Sequence, residues 1–146
     1  MILTSPAFDH GAIIPKKYTC DGGDINPELQ IQNVPDEAKS LALIMHDPDA
    51  PRQGGFTHWV LWNIDPATTV IKQESIPPNA VEGQNGAGRS GYTGPCPPSG
   101  THHYHFRLYA LDEMLDLPSA ASLPEVQACI KDHAIEQTDL MGCYAR

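Results

Sequence analysis

Two proline-rich blocks, Asp47-Pro48-Asp49-Ala50-Pro51 and Gly94-Pro95-Cys96-Pro97-Pro98-Ser99-Gly100-Thr101-His102, constrain this chain more than any other feature. Proline fixes φ and removes a backbone N–H, so neither block can run as an ordinary ladder strand. Each reads instead as a stiff loop beside a strand-like run, with His58 after the first and His102 closing the second. Turn chemistry alone accounts for one such block. Two, each bringing a histidine, point to a small rigid polar pocket.

A chain of 146 residues fits one domain with a self-sufficient core. Its 14 prolines and 12 glycines occur without any repeat, which indicates many ordered turns and a β-rich domain. The formal charge of -9, with Lys16-Lys17 as the only basic pair, argues against nucleic acid or an anionic membrane surface as partner. The opening Met1-Ile2-Leu3-Thr4-Ser5-Pro6 is no secretory leader, and no apolar run reaches the ~20 residues of a membrane span. The expectation is a cytoplasmic protein. Cys20, Cys96, Cys129 and Cys143 lack C-x-x-C spacing and are expected as free thiols there. An exported chain with a trimmed leader is the alternative, and a disulfide would count for it.

Leu41 to Met45 is a continuous apolar run, as expected of a strand buried on both faces, and Trp59 to Ile64 is a second. From Tyr104 to Leu111, alternation puts Tyr104, Phe106, Leu108 and Ala110 on one face, with His105 and Arg107 on the other. Shorter strands are expected at Ile2 to Thr4 and at Leu29 to Gln32. One helix is signalled near Leu123, with Ser122 as N-cap and Pro124 in the first turn. Val126, Cys129, Ile130, His133 and Ala134 share a helical face, and Gly142 is read as the stop. Residues 75 to 100 show no periodicity and read as a long surface loop.

His58 and His102 stand at strand ends, and Asp47 ends the first core strand, so all three can meet at one rim. Imidazoles can hydrogen-bond a phosphate or carboxylate, and a neighbouring Asp sets their tautomer. The same atoms permit a two-His-one-carboxylate metal site with Asp47 or Asp49. A triad of Ser90 or Ser99 with His102 and Asp47 is disfavoured, because neither serine sits in a Gly-x-Ser-x-Gly elbow. His10, His46, His103, His105 and His133 read as structural, and Trp59 and Trp62 as core.

The chain also carries a resemblance. Cys20-Asp21-Gly22, Asn26-Pro27-x-Leu29, the first proline block, Thr57-His58-Trp59 with Asn63-Ile64, and Gly94-Pro95-x-Pro97-Pro98-x-Gly100-x-His102-x-Tyr104-x-Phe106 follow in order along nearly the whole sequence. This combination resembles the phosphatidylethanolamine-binding protein family, which includes Raf kinase inhibitor protein. The tail Leu140-Met141-Gly142-x-Tyr144-x-Arg146 is similar to its short bacterial branch. The resemblance implies a mainly β fold, a Greek-key-like antiparallel β-sandwich of two sheets with a few helices, one of them near the C-terminus. It implies an anion pocket whose matching residues are Asp47, Asp49, Pro51, His58, Gly94, Pro95, His102 and Tyr104.

Two positions depart from many relatives: His103 stands where they carry Arg, and Gly54-Gly55 where paired aromatics are common. The expected function is non-enzymatic binding of a small phosphate-like anion, a phosphorylated headgroup or a nucleotide-like ligand, with no cofactor and no metal. The alternative is a protein-interaction module that inhibits a kinase or protease, and a hydrolase of phosphate esters ranks third. The bacterial relatives suggest a homodimer.

Overall fold

A computed structural model describes all 146 residues. The strands are β1 (Ile2–Thr4), β2 (Leu29–Gln32), β3 (Ser40–Asp47), β4 (Phe56–Ile64), β5 (Val70–Ile71), β6 (Val81–Glu82), β7 (Thr101–Leu111) and β8 (Ala134–Ala145), and helix α1 spans Leu123–His133. They form two antiparallel sheets, β1-β2-β5 and β6-β4-β3-β7-β8. The fold is the expected mainly β one.

β3 is central in the larger sheet and is covered on both sides, which is why its sequence is apolar without alternation. Leu41, Leu43 and Met45 face the core between the sheets with Leu3, Leu29, Ile31 and Ile71. Ala42 and Ile44 face a second cluster in which Val126 and Ile130 of α1 pack with Val60, Trp62 and Leu111. β7 has no such symmetry. Tyr104, Phe106, Leu108 and Ala110 are buried inward, whereas His103, His105, Arg107 and Tyr109 point outward and are less buried.

Helix α1 begins as read. The Ser122 hydroxyl accepts from the Glu125 N–H, the Glu125 carboxylate answers the Ser122 N–H, and Pro124 costs no hydrogen bond in the first turn. Its end differs from the expectation. The helix stops at His133, and Ala134 opens β8, so Gly142 is not a helix stop. Gly142 sits in β8 opposite Tyr104, where an added Cβ would lie 2.5 Å from Ile14 Cγ1 and 2.8 Å from Phe8 Cε2. β8 carries no early strand signal because Ala134 to Glu136 and most of the residues up to Asp139 are exposed on both faces.

The reading of residues 75 to 100 as one surface loop also needs correction. β6 pairs with Leu61 and Trp62, and the loop beyond it is knotted around buried Asn85. The Asn85 amide donates to the Gly91 carbonyl at 3.1 Å and to Thr93 Oγ1 at 2.9 Å, and its oxygen accepts from the Ala87 N–H at 2.9 Å. The short β5 likewise had no sequence signal.

Two of the four cysteines are not free thiols. Cys20 and Cys96, 76 residues apart, form a disulfide, while Cys129 and Cys143 remain free. The pairing depends on a tertiary approach that spacing cannot reveal, and it counts toward the exported alternative. No helix is long and apolar enough to cross a membrane.

Two stability outcomes follow. Replacing Cys20 and Cys96 together by Ser should lower unfolding free energy by about 2–4 kcal/mol, because the bond closes a long loop in the unfolded chain. Gly142→Ala should cost about 1–3 kcal/mol by overpacking against Ile14 and Phe8. Urea unfolding at neutral pH reads both, and an unchanged midpoint would contradict either assignment.

Candidate functional site

Three strand ends meet at one rim of the larger sheet. β3 finishes at Asp47, β4 starts opposite it at Phe56, and β7 enters through Thr101 and His102 on the other side of β3. The first proline block turns the chain from β3 into β4. That turn closes tightly: Gly55 has φ +77°, and a Cβ there would collide with the Asp47 carbonyl.

Asp47 is 2% exposed, and both carboxylate oxygens are engaged. Oδ2 accepts from His102 Nδ1 at 2.6 Å, and Oδ1 accepts from the Asp49 N–H at 2.8 Å. His58 is held differently. Its Nδ1 lies 2.6 Å from the Thr93 carbonyl, an acceptor only, so Nδ1 carries the proton. Burial lowers the His58 pKa and keeps the ring neutral, although the Thr93 carbonyl and Asp47 pull the other way. The sequence reading had an Asp setting histidine tautomers; Asp47 does this for His102, and a backbone carbonyl does it for His58.

Tyr104 completes the group. Its ring lies edge-on to His58 at 5.2 Å and stacks with His102 at 6.4 Å. Burial first, then Asp47, raises its pKa, against a hydrogen bond from the Cys96 backbone, so the phenol keeps its proton. At the mouth, the Arg52 guanidinium stands 4.9 Å from the Phe56 ring centre, and Phe56 in turn meets His58 edge-on at 4.8 Å.

These groups surround a cavity of about 390 Å³. Of the residues expected at the site, Asp47, Pro51, His58, Gly94, His102 and Tyr104 line it, and Asp49 and Pro95 do not. Asp49 instead accepts from the His103 N–H at 2.8 Å and from His103 Nδ1 at 2.7 Å, and the His103 side chain holds its carboxyl below the usual range. His103 is therefore tied to the rim and is no free substitute for arginine. Pro95 faces backward, its carbonyl accepting from the Cys20 N–H at 3.1 Å.

The wall has support from behind. The Gly94 N–H donates to Asp24 Oδ1 at 2.7 Å, the Tyr92 hydroxyl donates to the Tyr18 carbonyl at 2.7 Å, and the disulfide joins Cys96 to the same 18–24 loop. A Cβ on Gly94 would lie 2.6 Å from the Tyr18 carbonyl oxygen, so only glycine permits this approach. Residues missed in the sequence include Arg52, Phe56 and Thr93. Arg52 had a signal, as the one cation adjoining a proline block; Thr93 acts through its backbone and had none.

The rival chemistries lack partners. Ser90 donates to the carbonyl of Glu82 in β6, and Ser99 is not in the cavity wall. No group of three His, Cys, Asp or Glu side chains is placed to hold a metal ion. The remaining histidines have local roles: His10 accepts from the Met141 N–H, His46 meets Thr57, His105 meets Asp139 and His133 meets Asp112.

Comparison with known proteins agrees with this architecture. The family model described as phosphatidylethanolamine-binding protein matches residues 4–145. A UPF0098 protein of Pyrococcus horikoshii is 47% identical, covering 99% of this chain and 77% of its own. One from Methanothermobacter thermautotrophicus is 47% identical, covering 100% and 99%. The crystal structure of CT736 of Chlamydia trachomatis, a putative phosphatidylethanolamine-binding protein homolog, superposes with TM-score 0.94 at 41% identity over 99% of this chain and 96% of that one. YbcL of E. coli gives 0.93 at 30% identity over 99% and 97%. With sequence match and fold similarity both running from end to end, the chain belongs to the phosphatidylethanolamine-binding protein family.

Proposed function

We propose that this protein binds a small phosphate-like anion, free or as a phosphorylated headgroup, in the rim cavity and releases it unchanged. The observation that carries this reading is the convergence of His58, His102 and Tyr104 on one cavity with Arg52 at its mouth. A volume of about 390 Å³ suits a small ligand. Tyr104 supplies an O–H, Arg52 a fixed positive charge, and the two imidazoles polar ring edges. The phosphatidylethanolamine in the family's description carries a headgroup of this class. Binding without turnover fits a site in which neither candidate serine meets His102.

Nuclear magnetic resonance tests this directly. Titrating inorganic phosphate or phosphorylethanolamine should move the His58 and His102 imidazole signals while leaving those of His10 and His133 in place. No movement at millimolar ligand would sink the reading. His58→Ala should weaken phosphorylethanolamine binding by roughly tenfold or more, the worth of one hydrogen bond to a charged group.

A further inference from the structure

The two imidazoles are not equivalent toward a ligand. His58 spends Nδ1–H on the Thr93 carbonyl. In the neutral ring the other nitrogen, Nε2, is then a lone pair and an acceptor. Nothing in the protein donates to it. Trp62 Nε1 is the only fully sealed side-chain nitrogen or oxygen without a partner, so Nε2 of the cavity-lining His58 is open to the cavity. His102 also spends Nδ1, but on the Asp47 carboxylate rather than on a backbone carbonyl. Asp47 makes no hydrogen bond to His58, and its upward pull on the His58 pKa is outweighed by burial.

The charged and titratable groups around the pair come from every flanking element. His46 and Asp47 lie on β3, Asp24 on the loop behind Gly94, Arg52 at the mouth, and Tyr104 beside them on β7. Asp49 is nearby, but it lies outside the cavity wall and gives Oδ2 to His103. The cavity therefore presents one fixed acceptor (His58 Nε2), one donor (the Tyr104 O–H), one guanidinium, and the His102 ring oriented by Asp47.

We infer that the cavity selects an oxyanion that brings its own acidic proton, the monoanion of a phosphomonoester or of inorganic phosphate, with its P–OH donating to His58 Nε2. This rests on the anion-binding reading above and goes past it. A phosphodiester has the charge but no P–OH, and sulfate at neutral pH has none either. With either bound, the buried His58 nitrogen faces an oxygen lone pair, and an acceptor left without its donor weakens binding by roughly ten- to a hundredfold. The same chemistry separates a freed headgroup, a monoester, from the intact phospholipid, a diester.

The test uses the whole protein and three probes: phosphorylethanolamine, glycerophosphorylethanolamine and sulfate, titrated calorimetrically near pH 6 and pH 8. The monoester should bind at least about tenfold tighter than the diester and sulfate at the lower pH. Its affinity should fall with rising pH past about 6, where a phosphomonoester loses its second proton. Nitrogen-15 shifts of the free protein should show His58 protonated at Nδ1 and bare at Nε2. Sulfate or diester binding within twofold of the monoester, or a proton on Nε2, would overturn the selectivity and leave the anion site standing. Failure of all three probes to bind would overturn both. His58→Gln, whose amide can donate, should bring sulfate and monoester affinities together; if this variant does not fold, the wild-type comparison still decides.

Discussion

A carboxylate at 2% exposure cannot stand alone, and the rim of this protein is arranged around satisfying Asp47. Its two oxygens take the ring of His102 and the backbone of Asp49. The first bond draws the start of β7 to the end of β3; the second curls the proline block back over the strand that precedes it. Removing one member of such a buried pair typically costs several kcal/mol, because the other is left charged or unpaired in the interior. The contact that orients a binding group is thus also one that holds two strand ends together.

β3 supplies the foundation for that contact. Being covered by the small sheet on one side and by α1 on the other, it has no solvent face on which to slip, so Asp47 emerges at a fixed height. β4 and β7 are registered against it on either side and bring His58 and His102 to that level. The opposite wall is made without any strand. It depends on Asp24, Tyr18 and Cys20, which fasten residues 92 to 96 from behind.

What was legible in the sequence follows from where information is stored. Strands β1 to β4 and β7 were readable because each buries a run or an alternating face, and Ser122 with Glu125 announced the start of α1. β5 and β6 are two-residue pairings stabilised by neighbours, and the first half of β8 overhangs the core, so none shows a hydrophobic period. At the site, Tyr104 came only through the family resemblance, whereas Asp47, His58 and His102 could be chosen because side-chain chemistry marks them. Asp49 was chosen on the same grounds, yet it serves His103, because a carboxylate's partner is decided by the loop's path. The Thr93 carbonyl, which fixes the tautomer of His58, has no residue-type signature at all. The Cys20–Cys96 bond was hidden for a similar reason.

The stiffness of residues 94 to 98 has a thermodynamic meaning for the small anion proposed as ligand. Phosphate has five non-hydrogen atoms, and the best small ligands gain only about 1.5 kcal/mol from each. Ordering a flexible loop costs roughly 1–2 kcal/mol per residue, so a floppy five-residue wall would consume the whole interaction. Prolines at 95, 97 and 98, a glycine pressed against Tyr18 and a disulfide at 96 place that entropic loss in folding, before any anion arrives. For the proposed anion of a few atoms, a preorganised wall of this kind would leave the interaction energy available for binding.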